Sequence, residues 1–279
     1  VNAQMSNWDR KSEITLINEY GYLKPQSISS EMLEVLVAAE AIHEQSQGFF
    51  DLTVSPLVDL WGFGPKKSED QVPTPLEIAK ALKLVGQKDM YQLNKSNQSI
   101  TKNVDGISIN LSAIAKGYGV DEVSKTLSFL GAERHLVEIG GDLVVSGLND
   151  KDLPWSIGVE KPDAEDRSVK LILPITDLGM ATSGDYRNFF ESEGIRYSHI
   201  IDPTNGRPVS HRTSSVTVLA ENAMIADGWA TALLVAGVES GLQIAEKNNI
   251  SALFISNLGD KFTTKSSSAF TKLTKSSNE

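Results

Sequence analysis

Asp227 and Thr231 stand four residues apart in the stretch ADGWATALLVAG, whose pattern predicts a helix, so a carboxylate and a hydroxyl share one helical face. Ala226, Gly228, Ala230 and Ala232 keep bulk away from them. Two hard oxygen donors among small residues suit Mg²⁺ or Ca²⁺ rather than zinc. The same spacing also serves a purely structural arrangement, with Asp227 capping a helix end and Thr231 bonding back to a carbonyl.

A second candidate is the run GISINLSAIAKGYGVD, Gly106 to Asp121. Ile107 and Ile109 alternate around Ser108, the period of a strand with one buried face, and a helix is expected from Val120 to Leu130. A strand emptying through small residues into a helix start leaves backbone N–H groups for an anion, phosphate above all, with Lys116 in the first turn. Small residues also occur at such junctions merely to pack closely. Among the four histidines, His43, His135 and His211 read as structural or surface residues. His199, within YSHIIDP beside a turn, is the one placed for chemistry. The histidines are too scattered for a histidine-bound metal, and no GxSxG elbow, Walker loop or GxGxxG run is present.

The elements that must position these residues follow from capping and periodicity. Residues 1–25 have little regular period and read as irregular. Ser29 caps a helix running to about Gln47, with Met32, Leu33, Leu36, Val37 and Ile42 on one face and Gly48 as its stop. Phe49 to Gly64, FFDLTVSPLVDLWGFG, reads as a loop whose Trp61, Gly62 and Phe63 form either a wall for a flat ligand or a hydrophobic plug. Thr74-Pro75-Leu76-Glu77 is a capping box with proline at its first helical position. Strands are expected at Met90–Asn94, Ser99–Thr101, on both sides of Gly140-Gly141 within Leu136–Gly147, at Trp155–Glu160 and at Val169–Ile175, with a solvated hairpin loop at 161–167. In GMATSGDYRNFF, Thr182-Ser183-Gly184-Asp185 offers hydroxyls and backbone N–H groups where a strand turns, and YSHIIDPTNGRPV a short strand and a turn at Pro203 to Gly206. Ser215–Leu219 is a strand, Ala223–Ala236 and Val238–Asn248 are helices, Ala252–Ile255 is a last strand, and the tail after about 265 reads as frayed. No linker or repeat divides the chain, which is expected to be one α+β domain, 1–279, of mixed, mostly antiparallel sheets with flanking helices.

With 279 residues, 40% hydrophobic and 22% charged, the composition is that of a globular protein able to bury a sizeable core. A formal charge of −10 argues against a nucleic-acid surface. No apolar run approaches the ~20 residues that span a bilayer. The absence of cysteine removes disulfides, thiolate metal sites and cysteine nucleophiles together, and fits an oxidising compartment without demanding one. The chain begins at Val1, which leads to the expectation of a processed or trimmed leader.

FDLTVSPLVDLWGFGP, NLSAIAKGYGVD, EIGGDL, ATSGDYRNFF, YSHIIDPTNGRPV and ADGWATALLVAG together resemble, in order, the successive motifs of the ApbE family, the FAD:protein FMN transferases. The resemblance runs from about Met5 to Ile255. It implies a Mg²⁺-dependent enzyme that binds FAD and moves its FMN half onto a threonine hydroxyl of an acceptor protein, releasing AMP. The implied acceptors are subunits of sodium-pumping NADH:quinone oxidoreductase and related Rnf complexes (Nqr/Rnf-type subunits). The implied location is periplasmic, with an N-terminal lipid anchor absent from this sequence. By the same resemblance Asp227 and Thr231 are side-chain metal ligands and Ala113 supplies a backbone carbonyl. Trp8, Trp61, Gly62, Phe63, Asn110, Lys116, Ser183, Gly184, Asp185, His199 and Ile201 match positions around FAD, and His199 matches the proposed general base. Position 110 is often Asp in the family and is Asn here, and the family's usual first strand ahead of MSNWD is missing or short.

The chemistry so implied is consistent with the residues. A cation and a lysine neutralise a pyrophosphate, amides at Ser112 to Lys116 add donors, and a histidine takes the proton from threonine. Two rivals share much of the same equipment. One is a Mg²⁺-dependent FAD pyrophosphatase, in which water replaces threonine; the other is a non-catalytic periplasmic FAD-binding protein.

Overall fold

The computed structural model describes residues 1–64, 72–162, 168–185, 188–259 and 261–276. The chain forms two compact units, Val1–Ala115 with Asn188–Ser210 and Lys116–Arg187 with His211–Glu279. It passes between them three times, so no single boundary exists for a sequence to display.

The first unit opens with two helices, α1 (Asn2–Met5) and α2 (Glu13–Glu19), where irregular chain is expected. The signal for α2 is present in the sequence: the Ser12 hydroxyl accepts from the Thr15 amide at 3.2 Å, and Ile14 and Ile17, three apart, are buried. Helix α3 spans Ser30–Gln45, capped by Ser29 as expected, and ends two residues short of the expected Gln47. Its buried positions are Met32, Val35, Leu36, Ala39 and Ile42; Leu33 and Val37 are half-buried.

The expected loop at 49–64 contains a helix, α4 (Ser55–Leu60), with Pro56 in its first turn. The capping box at Thr74 is made in full and opens α5 (Pro75–Ala81), and α6 (Gln87–Met90) follows. Strand Ser99–Lys102 lies between Gln26–Ser27 and Tyr91–Asn94, antiparallel to both. Two ribbons complete the unit, Phe189–Ser192 with Ile195–Ser198 and Ile201–Asp202 with Arg207–Pro208. Leu57, Trp61, Ile78, Val85, Phe190 and Ile201 form one of its apolar clusters.

Residues 107–110 are not a strand, although the alternation is borne out in burial: Ile107, Ile109 and Leu111 are buried. Asn110 donates its amide to the Leu52 carbonyl at 2.8 Å, and the backbone groups of Ile109 and Leu111 are met by side chains rather than by a neighbouring strand. Asn18 both donates to and accepts from Ile109, at 2.9 and 2.8 Å, and Asn7 donates to the Ile109 carbonyl at 2.9 Å and accepts from the Leu111 amide at 3.0 Å. Two asparagines thus satisfy a buried extended segment that would otherwise need a ladder.

The second unit is built on a six-stranded antiparallel sheet in the order Phe262–Ser266, Ser251–Asn257, Thr213–Ala220, Leu178–Gly184, Asp142–Ser146, His135–Ile139. Alternation along Asp142–Ser146 sorts its two faces: Leu143 and Val145 join a cluster with the hairpin Trp155–Glu160 and Val169–Ile175, while Val144 packs with Val120 and Ala223. Helix α7 spans Ala115–Phe129, starting five residues before the expected Val120, and α8 spans Ala223–Lys247 with a break at Gly237, whose φ of 70° and ψ of 171° separate the two expected helices. The tail is not frayed through to its end. Phe262–Ser266 is the edge strand, and α9 (Ser268–Ser276) docks Phe270, 4% exposed, into the apolar cluster. The loop expected at 161–167 lies mostly outside the described residues.

Candidate active site

The second unit gathers an all-oxygen cluster around the start of α8. Asp227, on the second turn of that helix, is 5% exposed, and one of its oxygens accepts the Gly117 amide at 3.1 Å. Thr231, one turn on, has its hydroxyl 3.1 Å from that of Ser183, so the shared face is real and meets strand Leu178–Gly184. Gly179 on that strand lets the helix start come close, because a Cβ there would overlap the Asn222 backbone.

The sequence offered no reason to single out Asp142, yet it completes the cluster. It begins its strand directly after Gly140-Gly141, is 1% exposed, and takes the Lys116 ammonium at 3.1 Å on one oxygen. Lys116 also donates to the Gly140 carbonyl at 3.2 Å. The other Asp142 oxygen, Oδ2, is buried with no hydrogen-bond partner among the described residues. Asp142 lies within hydrogen-bonding reach of Asp227. Burial foremost, then the Asp142 charge, pushes the Asp227 carboxyl up to about 8, and burial raises Asp142 against the pull of Lys116. With both carboxyls ionised, two negative charges face one lysine and Asp142 Oδ2 has no donor; a shared proton relieves that charge in the metal-free protein, and a hard divalent cation can take the proton's place. No group of three or more His, Cys, Asp and Glu side chains able to hold a metal occurs among the described residues. Mg²⁺ can be held by as few as one or two carboxylates, with water and substrate phosphates filling the rest of its octahedron.

The amides expected to face a phosphate are largely engaged by the chain itself. Ser112 donates to the Asn110 side chain at 2.9 Å, Ile114 and Ala115 donate to the Leu111 carbonyl, and Gly117 donates to Asp227. Asn110 therefore forms a turn that Asp would form equally well through its own side-chain oxygen. Ala113 lies half-buried in this turn, two residues ahead of α7.

In the first unit, five rings run in succession. Trp61 stacks on Tyr197 at 5.4 Å, Tyr197 on Phe190 at 5.1 Å, Phe190 meets Phe63 at 5.6 Å, and Phe63 meets the His199 ring edge-on at 6.2 Å. Trp61 is 1% exposed and donates its indole N–H to the Gly206 carbonyl at 2.8 Å, so of the two readings it is the plug, while half-buried Phe63 remains open as a wall. Gly62 joins them with a φ of 81°, and Ile201 is buried beneath. His199 is not within a strand but just past Ile195–Ser198. Its Nδ1 lies 2.9 Å from the Asn188 carbonyl, which can only accept; that nitrogen therefore carries a hydrogen, and in the neutral ring the lone pair is on Nε2.

The remaining expected residues are more dispersed. Trp8 stands 74% exposed, and it is its neighbour Asn7 that contacts the 109–111 segment. Gly184 ends its strand beside Ser183, and Asp185, 6% exposed, donates its amide to the Ser214 carbonyl. The other histidines are structural: His43 reaches the Phe50 carbonyl, His135 the Ser124 hydroxyl and Ala132 carbonyl, and His211 the Val235 carbonyl.

Comparison with known proteins shows what the whole chain is similar to. The model of the ApbE family matches residues 1–254. A FAD:protein FMN transferase of Vibrio cholerae is 43% identical over 270 residues, 97% of this chain and 80% of that one. One of Haemophilus influenzae is 42% identical over 277 residues, 98% and 80% of the two chains. Among solved structures, the flavin transferase ApbE from Vibrio cholerae superimposes with a TM-score of 0.88 at 41% identity, covering 97% of this chain and 85% of that one. The apo flavinyl transferase ApbE of Pseudomonas stutzeri gives a TM-score of 0.88 at 37% identity, with 98% and 84% covered.

Proposed function

The chain belongs to the ApbE family, and from that premise we propose that it is a FAD:protein FMN transferase, moving the FMN half of FAD onto a threonine hydroxyl of an acceptor protein. The observation that carries the proposal beyond family membership is the buried Asp227–Asp142 pair, with its orphaned oxygen, beside Lys116 and Thr231. With both carboxyls ionised such a cluster is unfavourable without a cation, and a phosphate-handling enzyme has a use for one. Asp227 and Thr231 would hold Mg²⁺, with the Ala113 carbonyl as the family resemblance implies. When bound, the ion supplies neutralisation of the pyrophosphate charge.

The chain's own groups supply the rest. Lys116, held by Asp142 and the Gly140 carbonyl, presents a fixed positive charge. Phe63 offers a ring face to the isoalloxazine. His199 Nε2, left with its lone pair by the Nδ1 contact, takes the proton as the threonine oxygen attacks the FMN phosphorus. The new P–O bond forms as the pyrophosphate P–O bond breaks, and AMP leaves with the electron pair. The acceptor we propose is an Nqr/Rnf-type subunit carrying a target threonine, and the setting a periplasmic, lipid-tethered one; both rest on the resemblance alone.

An assay of AMP release with FAD and Mg²⁺, run with and without an acceptor bearing the target threonine, tests the reading. Transfer gives AMP and acceptor-bound flavin in equal amounts. AMP without acceptor identifies a pyrophosphatase, and no AMP at all a binding protein.

A further inference from the structure

Asp121 has no place in the chemistry above, yet it is a buried carboxylate, 7% exposed, on the second turn of α7. Its two oxygens accept the Ala223 and Met224 amides at 2.8 and 2.9 Å. Those are the first two N–H groups of α8, which have no acceptor within their own helix. The Asn222 side chain separately caps the next, Ile225, at 2.8 Å. The favour is returned one turn away, where Asp227 of α8 accepts the Gly117 amide in the first turn of α7. Each helix therefore caps the other with a carboxylate. The contact is close because Gly117 has no side chain: a Cβ there would overlap the Ala223 carbonyl.

We infer that Asp121 is a positioning residue of the cation site, holding the first turn of α8 by both amides so that Asp227 and Thr231 stand at fixed places for the ion. This rests on the reading of Asp227 as a metal ligand. The rigidity comes from the pair of oxygens. A carboxylate accepts two parallel N–H bonds from adjacent residues, which fixes translation and rotation of that turn; an amide offers one acceptor and turns its NH₂ against the other N–H. Asp227 lies four residues beyond Ala223, so movement of the first turn is passed on within about one helical turn. Groups that orient a metal ligand typically govern affinity by 10–100-fold.

The test is Asp121→Asn, a change of one atom in shape, with Asp121→Ser as a second variant. Ser29→Ala serves as the control, removing the cap of α3, where the Ser29 hydroxyl accepts the Met32 amide at 3.1 Å. Mn²⁺ binding to the FAD-free protein is measured by the electron paramagnetic resonance of free Mn²⁺, the Mg²⁺ half-saturation of turnover is measured at saturating FAD, and thermal unfolding is followed in EDTA. The expected result for Asp121→Asn is weakening of Mn²⁺ binding by at least about tenfold, an equal rise in the Mg²⁺ half-saturation, and kcat within about threefold of wild type once Mg²⁺ saturates. Ser29→Ala should lower the unfolding temperature and leave Mn²⁺ affinity unchanged. An Asp121→Asn protein that melts earlier but binds Mn²⁺ normally, or loses kcat at saturating Mg²⁺ with normal affinity, overturns the inference. So does failure of both Asp121 variants to fold, which would assign the residue to the fold as a whole. Wild-type protein that binds no Mn²⁺ overturns the reading of Asp227 first, before any variant is compared.

Discussion

Replacing Asp227 with Asn should make the metal-free protein more stable while removing its response to Mg²⁺. Asparagine keeps an oxygen for the Gly117 amide but takes one negative charge from the buried pair with Asp142. The carboxyl sits at about 8 in the folded protein against an ordinary 3.8, burial being the larger cause. Folding in the absence of metal therefore takes up a proton between those values. The stabilisation associated with that proton is complete below the ordinary carboxylate range and is lost as pH rises through the folded value. Each pH unit in the window corresponds to about 1.4 kcal/mol. Since the pair shares its proton, the burden at neutral pH is on the order of 2–4 kcal/mol. At about 2–4 °C per kcal/mol for a chain of this class, the variant should unfold roughly 4–16 °C later than wild type at pH 7 in EDTA. The gap should be smaller at pH 5 and full by pH 8.5. Added Mg²⁺ should raise the wild-type midpoint, more at pH 8 than at pH 5, and leave the variant unmoved. Differential scanning calorimetry of both proteins across that range decides it. A variant that unfolds before wild type in EDTA at pH 8, or that Mg²⁺ still protects, would refute the reasoning.

Four further outcomes are expected. His199→Ala should bind FAD and Mg²⁺ as wild type does, yet transfer FMN at least ~10²-fold more slowly; equilibrium titration with FAD beside a timed flavinylation assay separates the two effects. Phe63→Ala should weaken FAD binding by roughly 1 kcal/mol, about fivefold, and leave kcat nearly intact; fluorescence titration reads it, and unchanged affinity would remove the ring from the flavin site. Gly117→Ala should abolish Mg²⁺ protection against thermal unfolding, because the added methyl overlaps the Ala223 carbonyl and forces α7 and α8 apart. Phe270→Ala should destabilise the protein by about 3–5 kcal/mol, measured by urea titration; a frayed tail would show no change.

Much of the scaffold is legible because its signals are local. Ser29, the Thr74 box and the Gly140-Gly141 break each act on residues a few positions away, and each is where the capping and turn rules place it. The i, i+4 relation of Asp227 and Thr231 is likewise a property of any helix. Local rules also held unused information: Ser12 with Ile14 and Ile17 announces α2, whereas α4 starts on Val54 without a side-chain cap and carries only Pro56 in its first turn as a local sign.

Other features depend on partners remote in sequence. The buried extension at 107–111 looks like a strand by alternation, but its hydrogen bonds come from Asn7 and Asn18 roughly a hundred residues earlier. The serine-rich tail has the composition of a frayed end, and only a cluster of Leu143, Ile157 and Leu253 gives Phe270 somewhere to bury itself. Trp61 could be wall or plug until the Gly206 carbonyl and the Tyr197 ring close around it. Asp142 carried no mark of its importance in the six-residue motif EIGGDL; its meaning arises from Asp227 and Lys116 arriving beside it across strands and helices. Caps and periodicity are decided within a turn of chain, so the sequence alone determined them. Which charges lose their water, and which others they then face, depends on segments that meet only when the sheet and α8 have formed, and that the tertiary structure alone decided.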